Sequence, residues 1–337
     1  MMAALSQIIP VGSMDSSQTG NARRQALSLA AAMDFDELRQ GQLGIVVTEA
    51  ARNVAAHAGQ GEIVLTPWTY QGLTGIDVLA LDKGTGIKDV SAALQDGYST
   101  AGTPGNGMGA MSRLSGTFQL YTASGAGTVI FARVLRTAQQ SESESQPYGM
   151  SAITVPVSGE SECGDAWTAV FNPGRSVYIV ADGLGHGPVA AEAANEAVRV
   201  FHRVAGHTPE RILSEIHDAL GKTRGAAVSV AEILHEKRVL NYAGAGNIVA
   251  AICTGGKTRS LVSMNGTVGH MVGKIQPFSY PWEKESALIM HSDGLATRWN
   301  VEQYPGLTSR HPALLAGVLF RDFCRRRDDA TILVSRI

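Results

Sequence analysis

The stretch Ser176–Pro188, SVYIVADGLGHGP, decides how the second half of this 337-residue chain is interpreted. Val177–Ala181 is a short apolar run rich in β-branched residues, which predicts a buried strand. The strand ends at Asp182, and a glycine turn follows before Pro188 opens an Ala- and Glu-rich segment that predicts a helix. A carboxylate at a strand end beside a glycine turn suits a metal or phosphate site, and a helix-capping aspartate explains the motif equally well.

The same pattern recurs at other predicted strand ends in this half of the chain. The apolar run Ala287–His291 leads to Asp293, Asp165 precedes a strand-like run, and Asp328 and Asp329 stand directly before ATILVS. No His or Cys cluster with ligand spacing accompanies them, and sites built from carboxylates alone select Mg²⁺ or Mn²⁺ over zinc or copper. Aspartates at four strand ends therefore predict a pair of hard cations that clamp a phosphoryl group.

The motifs GDAW, ADGLGHG, SDGL and DDAT, in this order between Tyr148 and Ile337, resemble the metal-dependent (type 2C, PPM) serine/threonine phosphatases, in particular the small bacterial branch with SpoIIE and RsbX. The resemblance implies an αββα sandwich that uses two Mn²⁺ or Mg²⁺ to activate a water against phosphoserine or phosphothreonine. It implies metal ligation by the side chains of Asp165, Asp182, Asp293 and Asp328 and the carbonyl of Gly183, with Asp182 and Asp293 as catalytic residues. Asp329 is then a neighbour of the ligands, and His186 has a turn or substrate-side role.

Composition narrows the class of protein. The formal net charge is −2 and no polybasic run occurs, which argues against a nucleic-acid or membrane-surface partner. The three cysteines are scattered, as expected for reduced thiols and not for a disulfide framework. We find neither a secretion signal nor an apolar run long enough to span a bilayer, so we expect a cytoplasmic protein.

The chain predicts two compact units. Thr137–Pro147, TAQQSESESQP, is polar and without periodicity, which indicates a tether between domains 1–136 and 148–337. Upstream of the tether, helical and strand-like segments are grouped as in a sheet with helices on one face, an α+β arrangement. The predicted helices are Ala22–Met33, Asp36–His57, Val90–Gln95 and Gly109–Leu114, and the predicted strands are Glu62–Thr66, Gly75–Leu81, Thr117–Tyr121 and Gly127–Val134.

Three motifs in the first half point to a nucleotide site. Glu49 and Asn53 share a helix face and can hold a water and Mg²⁺, although a solvated helix face is the favoured explanation of this pair taken alone. Asp82, at a strand end, can accept a hydrogen bond from an exocyclic amine, and the glycines up to Gly86 admit a flat ring. Gly102–Gly109, GTPGNGMG, leads into a helix whose N-terminus can bind phosphates.

Taken together, these motifs resemble the three nucleotide boxes of the GHKL (Bergerat) ATPase fold, an α/β sandwich, and the stretch Arg23–Val134 is similar to the RsbT-like switch serine kinases. The resemblance implies ATP with Mg²⁺ held by Asn53, and Glu49 as the general base for a protein serine hydroxyl. It assigns nucleotide contacts to Asn53, Asp82, Gly84, Gly86, Gly105, Gly107 and Gly109. Pro104 and Asn106 depart from the glycine-rich lid of relatives, which leaves lid closure and turnover open.

The favoured hypothesis is a bifunctional enzyme, an ATP-dependent serine kinase joined to a metal-dependent phosphatase. Family resemblance implies a STAS-domain partner, either an anti-sigma antagonist or a stressosome-type scaffold in a partner-switching pathway. In an alternative, the first half is a non-catalytic module that senses ATP or ADP, or binds a sigma factor, and gates the phosphatase. Glu49 favours the kinase, because a binding module needs no base. A small-molecule phosphatase is a third hypothesis.

Overall fold

The computed structural model describes residues 5–15, 17–70, 72–94, 107–137 and 149–336. The α-helices are α1 Ser17–Ala32, α2 Glu37–Ala58, α3 Val90–Ala93, α4 Gly107–Leu114, α5 Pro188–Val204, α6 Pro209–Ala219 and α7 Pro312–Phe323. The strands are β1 Gln7–Gly12, β2 Gln60–Tyr70, β3 Leu73–Asp82, β4 Thr117–Thr122, β5 Thr128–Leu135, β6 Gly149–Val155, β7 Asp165–Asn172, β8 Arg175–Gly183, β9 Ala226–Leu234, β10 Val239–Ala245, β11 Val249–Thr254, β12 Lys257–Ser260, β13 Gly266–Thr267, β14 Met271–Val272, β15 Phe278–Pro281, β16 Ala287–His291 and β17 Ala330–Arg336. Short 3₁₀ turns occupy Leu220–Lys222, Val301–Gln303 and Leu307–Ser309.

The chain forms two compact units. Unit N comprises Ser6–Gln146 together with Ala313–Arg321, and unit C comprises Met1–Leu5, Pro147–Pro312 and Asp322–Ile337. Residues 138–147 of the predicted tether lie outside the described residues, so the boundaries 1–136, 137–147 and 148–337 stay a prediction. Among the helices that the structure describes, none is both long enough and apolar enough to cross a membrane.

Unit N is an antiparallel sheet in the order β1-β2-β3-β5-β4, with helices packed on one face. Helix α2 begins at the N-cap Asp36, whose carboxylate accepts from the backbone N–H of Arg39 at 2.7 Å, and ends at Gly59 with φ +75°. Glu49 and Asn53 of α2 are only partly buried, whereas its apolar residues recur at helical spacing and are buried against the sheet. These buried residues are Leu43, Val46, Val47, Ala50 and Val54.

The opposite face of this sheet carries Leu79, Leu81 and Val129, which are also buried. The segment Ala313–Arg321 belongs to this unit, and a Cβ on its Gly317 would lie 3.0 Å from Cγ1 of Val129 and 3.2 Å from Cδ2 of Leu81. This segment, ALLAGVLFR, is apolar on all sides before its final arginine, which is typical of a fully buried helix. A helix from late in the chain therefore covers the second face of the sheet.

Unit C contains two antiparallel sheets, in the orders β15-β10-β9-β8-β7 and β12-β11-β16-β17-β6. One apolar cluster includes side chains from both sheets, among them Tyr178 and Leu288, so the sheets stack face to face. Helices α5 and α6 bury Phe201 and Ile212 against the first sheet. Helix α5 begins at Pro188, as predicted, directly after the glycine turn.

The predicted elements of the first half are present, with shifted ends. The predicted helices 22–33 and 36–57 are observed as α1 and α2, and the predicted strands 62–66 and 75–81 extend to Gln60–Tyr70 and Leu73–Asp82. The sequence analysis missed β1, whose six residues include a proline that lies on the sheet edge.

The close approach at Gly317 gives a test of the packing of unit N. We expect Gly317→Leu to lower the free energy of unfolding by about 1–3 kcal/mol, because the added atoms overlap Val129 and Leu81. Urea unfolding followed by circular dichroism measures this change. The control is Gly41→Ala on α2, where nothing lies within 4 Å of the added Cβ, and where alanine should stabilise the helix by up to about 1 kcal/mol. Equal stability of Gly317→Leu and the parent would contradict the packing.

Candidate active sites

Strand pairing sets two of the predicted ligands side by side. In the antiparallel pair β7–β8, Asp165 lies directly opposite Asp182. Asp165 is buried, and its Oδ2 accepts a hydrogen bond from the Ser292 hydroxyl at 2.6 Å. The Ser292 hydroxyl in turn accepts from the backbone N–H of Thr331 at 3.0 Å. Residues that follow β16 and begin β17 are therefore tied to the Asp165–Asp182 pair.

The remaining aspartates of the cluster are held in the same region. Oδ2 of Asp293 accepts from the Asn247 side-chain amide at 2.7 Å. Asp329 is buried, and its two oxygens accept from the backbone N–H groups of Val157 and Gly164, each at 2.8 Å. Asp328, the residue before it, is exposed. Asp329 is thus a structural acceptor at the start of β17, whereas the exposed side chain of Asp328 accepts through Oδ1 only from the backbone N–H of Asp329, at 2.9 Å among the described residues.

The electrostatics of the cluster reflect its crowding. Burial, reinforced by the neighbouring carboxylates, raises the pKa of Asp165 to about 7 and that of Asp182 to about 9. Burial followed by repulsion from Asp328 raises the pKa of Asp293, while Arg325 acts in the opposite direction. Burial also raises the pKa of Asp329, against the effect of its two backbone hydrogen bonds. Ionising all of these carboxylates at neutral pH requires additional positive charge.

The donor set fits a hard cation. Oδ1 of Asp165 is buried and has no hydrogen-bond partner among the described residues. An unpaired buried carboxylate oxygen is costly, and carboxylate oxygens are preferred ligands of Mg²⁺ and Mn²⁺. In the described part of the chain, no three His, Cys, Asp or Glu side chains converge to chelating geometry. The assignment of Asp165, Asp182, Gly183, Asp293 and Asp328 as ligands therefore stays a prediction.

The glycine turn after β8 is closely packed. A Cβ on Gly183 would lie 2.1 Å from the carbonyl oxygen of Ala190, so only glycine lets the helix start come this near. Gly185 and Gly187 have positive φ values of 94° and 72°. Nδ1 of His186 lies 3.0 Å from Oε1 of Glu160. This contact gives His186 a partner at the rim, and its predicted turn or substrate-side role stays a prediction.

In unit N, α2 carries both residues of the first nucleotide motif. Glu49 pairs with Arg52 at 2.9 Å, and its Oε2 lies 2.7 Å from where a Cβ on Gly107 would be, at the start of α4. Within the part of the chain that the structure describes, the buried amide nitrogen of Asn53 has no hydrogen-bond partner, so this amide is available to a ligand. The structure thus brings Glu49 together with the end of the glycine-rich segment. Gly105, also predicted to contact nucleotide, lies outside the described residues.

The second nucleotide motif forms a narrow cradle. Oδ1 of Asp82 accepts from the backbone N–H groups of Gly84 at 2.8 Å and Thr128 at 3.1 Å, which orients the carboxylate. A Cβ on Gly84 would lie 2.9 Å from Cβ of Ala58, and one on Gly86, where φ is +78°, would lie 2.4 Å from the carbonyl oxygen of Ala123. The glycines are therefore required for the approach of these segments. Gly109 is buried within α4.

The sequence analysis missed the residues that support these groups. Asn247, Ser292 and Thr128 each donate a hydrogen bond to an aspartate of one of the two sites. Ser292 stands next to Asp293 in the SDGL motif, and this adjacency was the one available signal. Asn247 and Thr128 contact residues 46 positions away in the chain, and nothing local marks either contact.

Comparisons with known proteins agree with both halves. The family described as histidine kinase-like ATPase domain matches residues 13–134, and the family described as stage II sporulation protein E (SpoIIE) matches residues 172–337. The first half of the chain belongs to the histidine kinase-like ATPase family, and residues 172–337 are similar to the SpoIIE family. The SpoIIE match begins after Asp165, so the place of that residue in the site depends on its pairing with Asp182. The RsbT-like and SpoIIE/PPM resemblances are confirmed.

Two relatives come from Bacillus subtilis (strain 168). The serine/threonine-protein kinase RsbT is 33% identical over 109 residues, which cover 32% of this chain and 82% of RsbT. The phosphoserine phosphatase RsbX is 28% identical over 138 residues, which cover 41% of this chain and 69% of RsbX. This chain therefore combines a region similar to RsbT with a region similar to SpoIIE and RsbX.

Solved structures agree on the fold. A crystal structure of RsbX in complex with magnesium has a TM-score of 0.51 at 22% identity and covers 57% of this chain and 96% of that one. The structure of the PP2C phosphatase domain and a regulatory fragment of SpoIIE from Bacillus subtilis has a TM-score of 0.50 at 15% identity, covering 96% of both chains. The predicted fold class, a GHKL α/β sandwich followed by a PPM-type αββα sandwich, is confirmed.

The raised pKa values predict that stabilisation by Mn²⁺ grows with pH. Asp165 and Asp182 bind protons more tightly in the folded than in the unfolded chain, so their contribution to stability falls as pH rises from about 4 to about 9. Mn²⁺ competes with protons for the same carboxylates. At low pH it must displace bound protons, whereas at high pH the carboxylates are already ionised and bind it more tightly. In scanning fluorimetry, Mn²⁺ should therefore raise the unfolding midpoint more at about pH 8 than at about pH 5.5.

Asp182→Asn should remove most of this pH dependence, whereas the control Asp218→Asn, at an exposed position on α6, should keep it. A midpoint shift of the same size at both pH values would contradict the account of the cluster.

Proposed function

We propose that this protein is a bifunctional regulator that phosphorylates and dephosphorylates serine or threonine residues of a protein partner. The observation that carries the proposal is the pairing of the buried Asp165 with the half-buried Asp182, near Asp293 and Asp328. Such a cluster suits a pair of hard cations and phosphate-ester hydrolysis. The RsbX relative, described as a phosphoserine phosphatase, supports the substrate class.

In the phosphatase reaction, the residues of unit C hold the site. Asp165, Asp182, Asp293, Asp328 and the carbonyl of Gly183 would hold two Mn²⁺ or Mg²⁺. When bound, these ions would lower the pKa of a water that attacks phosphorus directly, so that the serine or threonine oxygen leaves. Ser292 donates a hydrogen bond to Asp165, and Asn247 donates one to Asp293. These bonds would orient both carboxylates for binding the cations.

In the kinase reaction, unit N positions ATP and a serine hydroxyl. Asp82 would accept from the adenine amine, Asn53 would hold Mg²⁺, and the segment ending in Gly107 and Gly109 would line the phosphates. Glu49 would accept the proton of the serine hydroxyl as its oxygen bonds to the γ-phosphorus and the bond to ADP breaks. The closeness of Glu49 to Gly107 supports this role, since a base must lie near the phosphates that the glycine-rich segment binds.

We further propose that the partner is a STAS-domain protein in a partner-switching pathway of the cytoplasm. One region is similar to a serine/threonine-protein kinase, RsbT, and the other to a phosphoserine phosphatase, RsbX, both from Bacillus subtilis, which supports opposed activities on related substrates. In the alternative, unit N only senses nucleotide or binds a sigma factor and thereby gates the phosphatase. The retention of a carboxylate at Glu49 favours the catalytic hypothesis.

The kinase assignment predicts that binding and transfer separate in one variant. Glu49→Gln should reduce transfer of radiolabel from ATP to a STAS protein by about 10²-fold or more, because the base is lost, and should keep nucleotide affinity within about threefold. The matched control is Glu37→Gln, at an exposed position in the first turn of the same helix. Undiminished label transfer by Glu49→Gln would refute the role of this residue. Nucleotide binding without any transfer by the parent would favour the sensing alternative.

The phosphatase assignment predicts a strict requirement for a hard cation. Asp182→Asn and Asp293→Asn should each lower hydrolysis of phosphoserine protein by about 10³-fold or more, with Asp218→Asn as control. EDTA should abolish activity, and Mn²⁺ should restore it. Restoration by Zn²⁺ alone would contradict a carboxylate site. If sugar or nucleotide phosphates are hydrolysed faster than phosphoprotein, the small-molecule hypothesis replaces the present one.

A further inference from the structure

The carboxylate cluster that suits the cations is unsuited to the substrate. Asp165 lies opposite Asp182 in the β7–β8 pair, and Ser292, the residue before Asp293, donates to Asp165 at 2.6 Å. Asp328 precedes Asp329, whose carboxylate accepts at 2.8 Å from the N–H of the residue before Asp165. Two divalent cations would offset at most four of these negative charges, so a phosphate dianion would still approach a site without surplus positive charge. Binding the substrate phosphate therefore calls for cationic side chains next to the cluster.

Arg224 is the first such side chain. It lies just before β9 and is exposed, and its Nη1 lies 3.1 Å from where a Cβ on Gly185 would be. The backbone carbonyl of Gly225 accepts from the N–H of Leu184 at 3.1 Å, which holds this segment against the glycine turn after Asp182. Within the described residues, the Arg224 guanidinium makes no salt bridge with any carboxylate. The positive charge of Arg224 is therefore available to an anionic ligand.

Arg325 is the second. Its backbone N–H donates to the carbonyl of Gly294 at 2.8 Å, and Cys324 pairs with Leu295, so Arg325 is anchored to the segment that follows Asp293. Its side chain is exposed, and its charge opposes the rise in the pKa of Asp293. No carboxylate oxygen of the described chain lies within salt-bridge distance of its guanidinium. It is therefore near a predicted ligand and still open to an anion.

We propose that Arg224 and Arg325 bind the phosphate group of the phosphoprotein substrate, each anchored beside a segment that carries a predicted metal ligand. Both are guanidinium groups, whose planar N–H pairs match two phosphate oxygens, and a lysine would offer only a point charge. The inference rests on the proposed phosphatase function and adds to it the residues that recognise the phosphate. In this proposal both arginines bind the phosphate, and neither transfers a proton.

A different role is possible for the same charges and has different consequences. If the two arginines merely offset repulsion among the aspartates, their removal should weaken Mn²⁺ binding and lower the stability of the metal-free protein. It should leave the affinity for phosphate unchanged once the metal is saturating. If they bind the substrate, Mn²⁺ affinity should change little, and phosphate affinity and KM should change strongly.

The test uses the full chain saturated with Mn²⁺ and four variants, Arg224→Ala, Arg325→Ala, Arg224→Lys and the control Arg259→Ala on the exposed strand β12. Titration calorimetry measures the affinity for Mn²⁺ and then for inorganic phosphate, and hydrolysis of p-nitrophenyl phosphate gives KM and kcat. We expect each alanine variant to weaken phosphate binding and raise KM by about tenfold or more, with kcat changed less. Lysine should restore part of the affinity, and Arg259→Ala should match the parent.

The inference is overturned if phosphate affinity in both alanine variants stays within about twofold of the parent, whether or not Mn²⁺ affinity falls. Failure of the proposed function has a separate signature, because the parent protein itself would then neither take up Mn²⁺ nor hydrolyse p-nitrophenyl phosphate. In that case the inference falls with it.

Discussion

Two carboxylates, one buried and one half-buried, face each other across an antiparallel strand pair and determine the electrostatics of unit C. Asp165 and Asp182 are direct partners in the β7–β8 register, and the charge of Asp165 adds to the burial that raises the pKa of Asp182. The Ser292 hydroxyl stabilises Asp165, and backbone N–H groups stabilise Asp329, but these neutral donors cannot cancel several negative charges. A divalent ion is the simplest group that can. The stacked sheets supply the rigidity that keeps the carboxylates together despite their repulsion.

In unit N the acidic side chains of the predicted nucleotide site lie apart from one another and do not form a cluster. Asp82 is oriented by two backbone N–H groups in a glycine-lined cradle, and Glu49 lies beside the start of α4. This arrangement suits a nucleotide that brings its own cation and phosphates, so that the protein mainly has to position the reactants. The cluster in unit C suits the opposite task, in which the protein must collect the cations itself. One chain thus joins two sites whose different use of carboxylates matches two opposed reactions.

Much of both sites could be predicted because the informative residues lie next to local signals. Asp182 and Asp293 follow apolar runs, and Asp82 stands before a glycine pair, so strand ends and turns mark them. The supporting residues could not be found this way. Ser292 donates to Asp165, 127 positions away, and only the sheet register shows that they meet.

The packing partners of α7 also could not be predicted from the sequence. Its apolar composition predicts burial, but nothing in the segment Ala313–Arg321 indicates that it covers Leu81 and Val129, far upstream in the chain. Nη1 of Arg321 donates a hydrogen bond to the carbonyl oxygen of Asp82 at 2.8 Å. This contact is part of the same long-range packing. The local sequence pattern predicts which residues are buried, but the topology of the fold determines which residues they pack against.

The central claim is that aspartates from separate strands share metal ions in unit C. Diffraction from crystals of the full chain soaked in MnCl₂, recorded at the manganese absorption edge, measures this directly. The account predicts two anomalous peaks in contact with Asp165, Asp182, Asp293 or Asp328, and no such peaks in crystals of Asp182→Asn. Manganese peaks only elsewhere on the molecule, or none at all, would contradict it.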